Sequence, residues 1–185
     1  MSNSSKKAIK YTVNRISSGI SSPVIVDQNE FKNQGLIGKV KNEIKTRMVC
    51  NTTQSVFIDF KRSTFPEVAK DKYYDILQAY KRKDKVDLMK YLSIPLYDLV
   101  KANLKNGTPL PFKFYDEIVM VNLLQARVFS LHKHGNNPAE TWHQMTCRYI
   151  FYDKENKKEI TQYNVLERRE VDKEGMTWRM CHIDN

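Results

Sequence analysis

The stretch "TWHQMTCRYIFYDKENKKEITQYNVLERREVDKEGMTWRMCHI" (141–183) decides the fold. Its apolar residues recur at every second position, which is the period of a strand and not of a helix. Within 141–153, Met145, Cys147, Tyr149 and Phe151 fall on one face. "DKEN" (153–156) reads as a turn, and 159–171 as the next strand, with Tyr163 and Val165 aligned. "DKEG" (172–175) is a second turn. "MTWRMCHI" (176–183) is a closing strand with Trp178, Met180 and His182 on one face. Upstream, "YDEIVMVNLLQARVFSLHKH" (115–134) has the same period and supplies a first strand. Connections this short between successive strands predict a four-stranded antiparallel meander.

The residues before the meander have helical spacing. Ser63 or Thr64 can cap a helix whose first turn accepts Pro66, with Ala69, Tyr73, Ile76, Leu77 and Tyr80 along one face. "KRKDK" (81–85) interrupts it. A short helix follows at about 85–92, carrying Val86, Leu88, Met89 and Leu92. Ser93 and Pro95 open a third, with Leu96, Leu99, Val100 and Leu104 in a stripe and Gly107 as C-cap. About three helices followed by four strands predict an α+β domain in which one sheet face receives the helices. A curved sheet wrapped on a helix in this way is cone-shaped, of the cystatin/NTF-like kind, with a central hollow.

The charge is uneven. The chain has 185 residues and a net charge of +10. Residues 1–64 hold eleven Lys/Arg against four Asp/Glu, a net +7, and residues 65–185 hold twenty against seventeen, a net +3. We read 1–62 as a basic extended arm, with one short helix near 39–48 and a short strand or anchoring segment at "SVFIDF" (55–60), and 63–185 as the α+β domain. Basic and aromatic residues mix along the arm in "KKAIKYTVNRI" (6–16) and "FKNQGLIGKVKNEIKTRM" (31–48). Such arms neutralise phosphates and often order only on binding. The candidate RNA contacts are Lys6, Lys7, Lys10, Arg15, Lys32, Lys39, Lys41, Lys45, Arg47, Lys61 and Arg62. "KRKDK" and "ERRE" (167–170) read instead as solvated faces.

Cys50, Cys147 and Cys181 are odd in number and widely spaced, which argues against a disulfide framework or a zinc site and for a reducing compartment. No stretch approaches the roughly 20 consecutive apolar residues of a spanning helix. Residues 1–26 contain no acid, four bases and many serines, a composition resembling a mitochondrial targeting segment and equally that of a retained ribosomal arm.

Catalytic chemistry is thinly represented. The acid–base candidates are His132, His134, His143, His182, Asp116 and Glu117. His132 and His134 lie beside "GNNP" and read as a solvated loop, two His being short of a metal set. His143 shares a face with Met145 and reads as a structural histidine. No phosphate-binding glycine loop, GxSxG or HExxH occurs. No catalytic residue, metal or cofactor is expected, and no small-molecule substrate.

Several pieces together resemble the Tim-forty-four-like family. They are "FPEVAKDKYYDILQAYKRKDKVDLMKYLS" (65–93) with Phe65-Pro66, Leu77, Ala79 and Asp84 to Leu88, then "YNVLERR" (163–169), and Trp178-Arg179-Met180. Within that family the resemblance points to the branch of the mitochondrial large-ribosomal-subunit protein number forty-five and the inner-membrane ribosome receptors. It spans about residues 60–183, roughly two thirds of the chain. The resemblance implies a non-enzymatic ribosomal protein near the polypeptide exit tunnel, in the mitochondrial matrix and peripheral to the inner membrane. Its implied partners are ribosomal RNA, neighbouring large-subunit proteins, and the membrane surface or an insertase. Members of this branch continue past the Trp-Arg-Met strand. Here the sequence ends at Asn185, so membrane contact is expected from a Lys/Arg-bearing domain surface. The alternatives are an accessory docking subunit of another inner-membrane complex, such as the import motor or a respiratory complex, and an enzyme using the hollow.

Overall fold

The computed structural model describes residues 35–131, 140–170 and 177–184, together with two short strands, β1 (Asn14–Arg15) and β2 (Ile20–Ser21), which pair antiparallel. Four helices follow: α1 (Leu36–Val56), α2 (Phe65–Lys81), α3 (Lys85–Tyr91) and α4 (Ile94–Asn106). Four strands then complete the chain: β3 (Ile118–Leu131), β4 (Glu140–Asp153), β5 (Lys158–Arg169) and β6 (Arg179–Asp184). They form an open antiparallel sheet in the order β3-β4-β5-β6. The architecture is α+β, as the period change in the sequence predicts.

The helix-facing rows of the sheet are apolar except at Gln162 and Asn164 of β5, which stand opposite Tyr149 and Cys147. Ala126, Met145, Leu166 and Met180 stand opposite one another across all four strands. Each is buried, Met145, Leu166 and Met180 completely. Cys147, Tyr149 and Phe151 continue the row along β4, also without exposure. Onto them pack Ala69, Tyr73, Ile76 and Leu77 of α2, Leu88 of α3, and Leu96 and Val100 of α4. The phenol of Tyr149 donates to the carbonyl of Ala69 at 2.8 Å, tying the sheet to α2. Sheet and α3–α4 meet where Ser93 N–H donates to the Met180 carbonyl at 2.9 Å.

Helix boundaries follow local chemistry. Pro66 lies in the first turn of α2 and Pro95 in that of α4, where a missing N–H costs nothing. The Asp84 carboxylate caps α3 by accepting from Val86 and Asp87 N–H, so the acid inside "KRKDK" is a start signal. Gly107 ends α4 with φ of 69°, a left-handed geometry that favours glycine. Between β4 and β5, Asp153 Oδ1 accepts from the N–H groups of Glu155 and Asn156, a side-chain-mimicked turn.

Three expectations change. The packed core begins well before residue 63. α1 spans 21 residues and buries Thr46, Cys50 and Thr53, and Phe57 and Phe60 join the core behind it. The arm therefore does not run extended to residue 62. Thr64 occupies the cap position of α2 but makes no side-chain cap hydrogen bond. His182 leaves the Trp178–Met180 face. A register shift between Val165 and Leu166 places Cys181 at a bulge, so His182 stands opposite Val165 and Ile183 takes the core position.

The middles of β4 and β5 are buried on both faces, at 142–147 and 162–167. Cys50, Cys147 and Cys181 are buried thiols outside any disulfide, and burial pushes those of Cys50 and Cys147 up.

Candidate functional site

α1 carries two opposed faces. One is anchored. Asn42 donates to the Leu124 carbonyl at 3.0 Å and accepts from Gln125 Nε2 at 3.1 Å, while Thr46, Cys50 and Thr53 are buried. The other is apolar yet open to solvent. Leu36, Val40, Ile44 and Met48 lie at four-residue steps and therefore in one row, with Ile37 beside them. Ile37 is 85% exposed and Met48 65% exposed. Leu36, Ile37, Val40, Lys41, Ile44 and Lys45 line a shallow hollow of about 400 Å³. Lys39, Lys41 and Lys45 are exposed and make no ion pair among the described residues. An apolar stripe edged by free ammonium groups is the chemistry of an anionic, part-apolar surface.

The other flank of α1 holds a compact charge network. Glu43 Oε1 accepts from Arg47 Nε at 2.9 Å and from Arg62 Nη2 at 2.6 Å. Those two hydrogen bonds, Arg47 first, hold the Glu43 carboxyl below its ordinary range. Beyond Arg62 a groove of about 570 Å³ runs between the three elements. Gln54 of α1, Lys61, Arg62, Ser63 and Pro66 before and in α2, and Asn122 and Leu123 of β3 line it.

The sequence-predicted contacts therefore divide. Lys39, Lys41, Lys45 and Arg47 sit on α1, and Lys61 and Arg62 at the mouth of the groove. Arg47 and Arg62 are engaged by Glu43, whereas Lys61 makes no ion pair among the described residues. Arg15 belongs to β1, with its side chain outside the described residues. Lys6, Lys7, Lys10 and Lys32 lie outside them altogether.

The acid–base candidates do not converge. Asp116 pairs with Lys81, and Glu117 with Lys154 at 3.2 Å, both at the surface. His132 and His134 lie outside the described residues. His182 is half-buried, and burial lowers its pKa. His143 is the centre of a chain that the sequence hid. Its Nδ1 stands 2.8 Å from Thr53 Oγ1, and its Nε2 2.8 Å from Glu170 Oε1. The order hydroxyl–imidazole–carboxylate resembles a nucleophilic relay. Here Thr53 and His143 have no exposed surface, and Thr53 donates to the Val49 carbonyl at 2.9 Å. The chain locks α1 to β4 and does not present a nucleophile to a substrate.

"ERRE" is likewise built in. Glu167 is buried, Arg168 grips both oxygens of Asp59 at 2.8 Å, Arg169 pairs with Glu140 at 3.2 Å, and Glu170 with His143. The expectation of a solvated face is overturned: Arg168, Arg169 and Glu170 each find an opposite charge or the His143 ring, and Glu167 accepts from the Gln144 side-chain amide at 3.4 Å. Among the described residues no cluster of three His, Cys, Asp or Glu has metal-binding geometry, and no helix is long and apolar enough to cross a membrane.

No protein-family model matches this sequence, and no curated protein matches it.

Proposed function

We propose that the protein is a non-enzymatic component of the mitochondrial ribosome's large subunit, placed near the exit tunnel. Its basic N-terminal region binds ribosomal RNA, and its folded domain faces the inner membrane from the matrix side. The observation that carries this reading is the outward face of α1, with Leu36, Ile37, Val40, Ile44 and Met48 exposed beside Lys39, Lys41 and Lys45. A stripe of this kind buries its apolar side chains at a lipid interface, while the ammonium groups meet anionic headgroups at about 1 kcal/mol each. The net +7 of residues 1–64 supplies the phosphate-binding half. The Tim-forty-four-like resemblance joins the two halves in one role, with neighbouring large-subunit proteins and an insertase or membrane surface as further partners.

The test is a titration of the full chain with a labelled single-stranded RNA at several salt concentrations. Replacing Lys6, Lys7, Lys10 and Arg15 together by Gln should weaken binding and flatten the salt dependence by about 0.7 in log–log slope per lost phosphate contact. An unchanged slope would remove the arm from the RNA interface.

A further inference from the structure

We infer that the groove between α1, α2 and β3 is a second RNA contact, one that holds a backbone phosphate and its nucleotide and is kept in check by Glu43. The inference rests on the RNA-binding reading above and extends it from the arm to the folded domain.

Three properties of the groove converge. It is open to solvent and of about 570 Å³, a volume that one nucleotide unit can occupy. Its two cations are neighbours in the chain, Lys61 without an ion partner among the described residues and Arg62 beside it. Arg62 gives only Nη2 to Glu43, so the rest of its planar donor fork is open to a phosphate. Its remaining polar lining is neutral. Gln54, Ser63 and Asn122 offer amide and hydroxyl groups that both donate and accept, as ribose hydroxyls and base edges require. A groove built from two helices, the turn between them and one strand is too short to track a duplex. It suits an unpaired strand whose bases are splayed.

Glu43 gives the site its control. Its carboxylate already occupies Arg62 at 2.6 Å and Arg47 at 2.9 Å, as a phosphate would. A phosphate arriving at the open part of the Arg62 fork must share that guanidinium with the Glu43 carboxylate beside it. The charge of Glu43 therefore opposes binding, while its hydrogen bonds keep Arg62 at the groove mouth.

The experiment uses full-length protein and a fluorescein-labelled single-stranded RNA of mixed sequence, read by anisotropy across a salt series. Lys61→Ala with Arg62→Gln should weaken binding about tenfold at low salt and reduce the slope by about 1.4, for two lost contacts. Glu43→Gln should tighten binding about threefold, a direction that misfolding does not produce. In parallel, 4-thiouridine in the RNA should cross-link to the peptide spanning 54–66 in the wild type, and less in the double variant. Binding and cross-linking unchanged in both variants would overturn the groove while leaving the arm reading intact. Groove variants that weaken binding while the arm variant does not would leave the groove and remove the arm. An unmodified chain that binds no RNA would overturn both.

Discussion

Trp178, on the approach to β6, meets Phe65, the first residue of α2, edge-on, with ring centroids 4.9 Å apart and planes at 73°. The same indole lies 6.0 Å from the ring of Phe57 and 5.8 Å from that of Phe60. Phe57 in turn stands edge-on to His143 at 5.0 Å. The closing strand thus grips the chain between α1 and α2, and that grip aims the exposed face of α1 and the groove mouth outward. Trp178→Ala should cost about 3–5 kcal/mol, the range for truncating a buried aromatic. Trp178→Phe should retain most of that stability. Urea unfolding measures both, and an alanine variant within about 1 kcal/mol of wild type would deny the indole this role.

Asn164 is fully buried between Cys147 and Ile183, and neither of its amide atoms finds a hydrogen-bond partner among the described residues. An unpaired buried amide costs about 1–3 kcal/mol. Asn164→Leu, which keeps the branched side-chain skeleton and removes both polar atoms, should therefore raise the unfolding midpoint. A loss of stability would mean that the amide is paired in solution.

Burial lowers the pKa of His182 from 6.5, with Asp184 opposing the shift. The unfolded chain then takes up the proton at a higher pH than the folded one. Stability is fully present above 6.5 and falls as pH drops below it. His182→Gln should flatten the thermal-stability profile between about pH 7.5 and 5.5. An unaltered profile would assign that loss to other groups.

The α1 face makes a prediction separable from folding, because Ile44 is 54% exposed. Ile44→Glu should leave the melting temperature nearly unchanged. It should reduce co-flotation with vesicles rich in anionic lipid at least about tenfold, since it removes apolar contact and adds a repelled charge. Equal flotation of the two proteins would take the membrane contact away from this face.

The sheet was legible because the inward row of β4 alternates strictly through Met145, Cys147, Tyr149 and Phe151, and Pro66, Pro95 and Gly107 mark helix ends by backbone chemistry alone. α1 was not, and its inversion explains why. Its buried positions include Asn42 in part, Thr46 and Thr53, while its large apolar residues face out, so apolar periodicity points the wrong way. His182 was misplaced because one bulge residue reverses the alternation after Met180. The basic residues of the candidate site could be counted in the sequence. The partnership of Glu43 with Arg62, 19 residues apart, and of His143 with Thr53, 90 apart, exists only once α1 docks on the sheet.

The ribosomal role itself is tested most directly by sedimentation. An antibody to the protein, used on a gradient of gently lysed mitochondria from the source cell, should find it in the large-ribosomal-subunit fractions. It should be released from them by high salt, as phosphate-directed binding requires. Migration with a membrane complex that lacks ribosomal RNA, or at the top of the gradient at low salt, would contradict it.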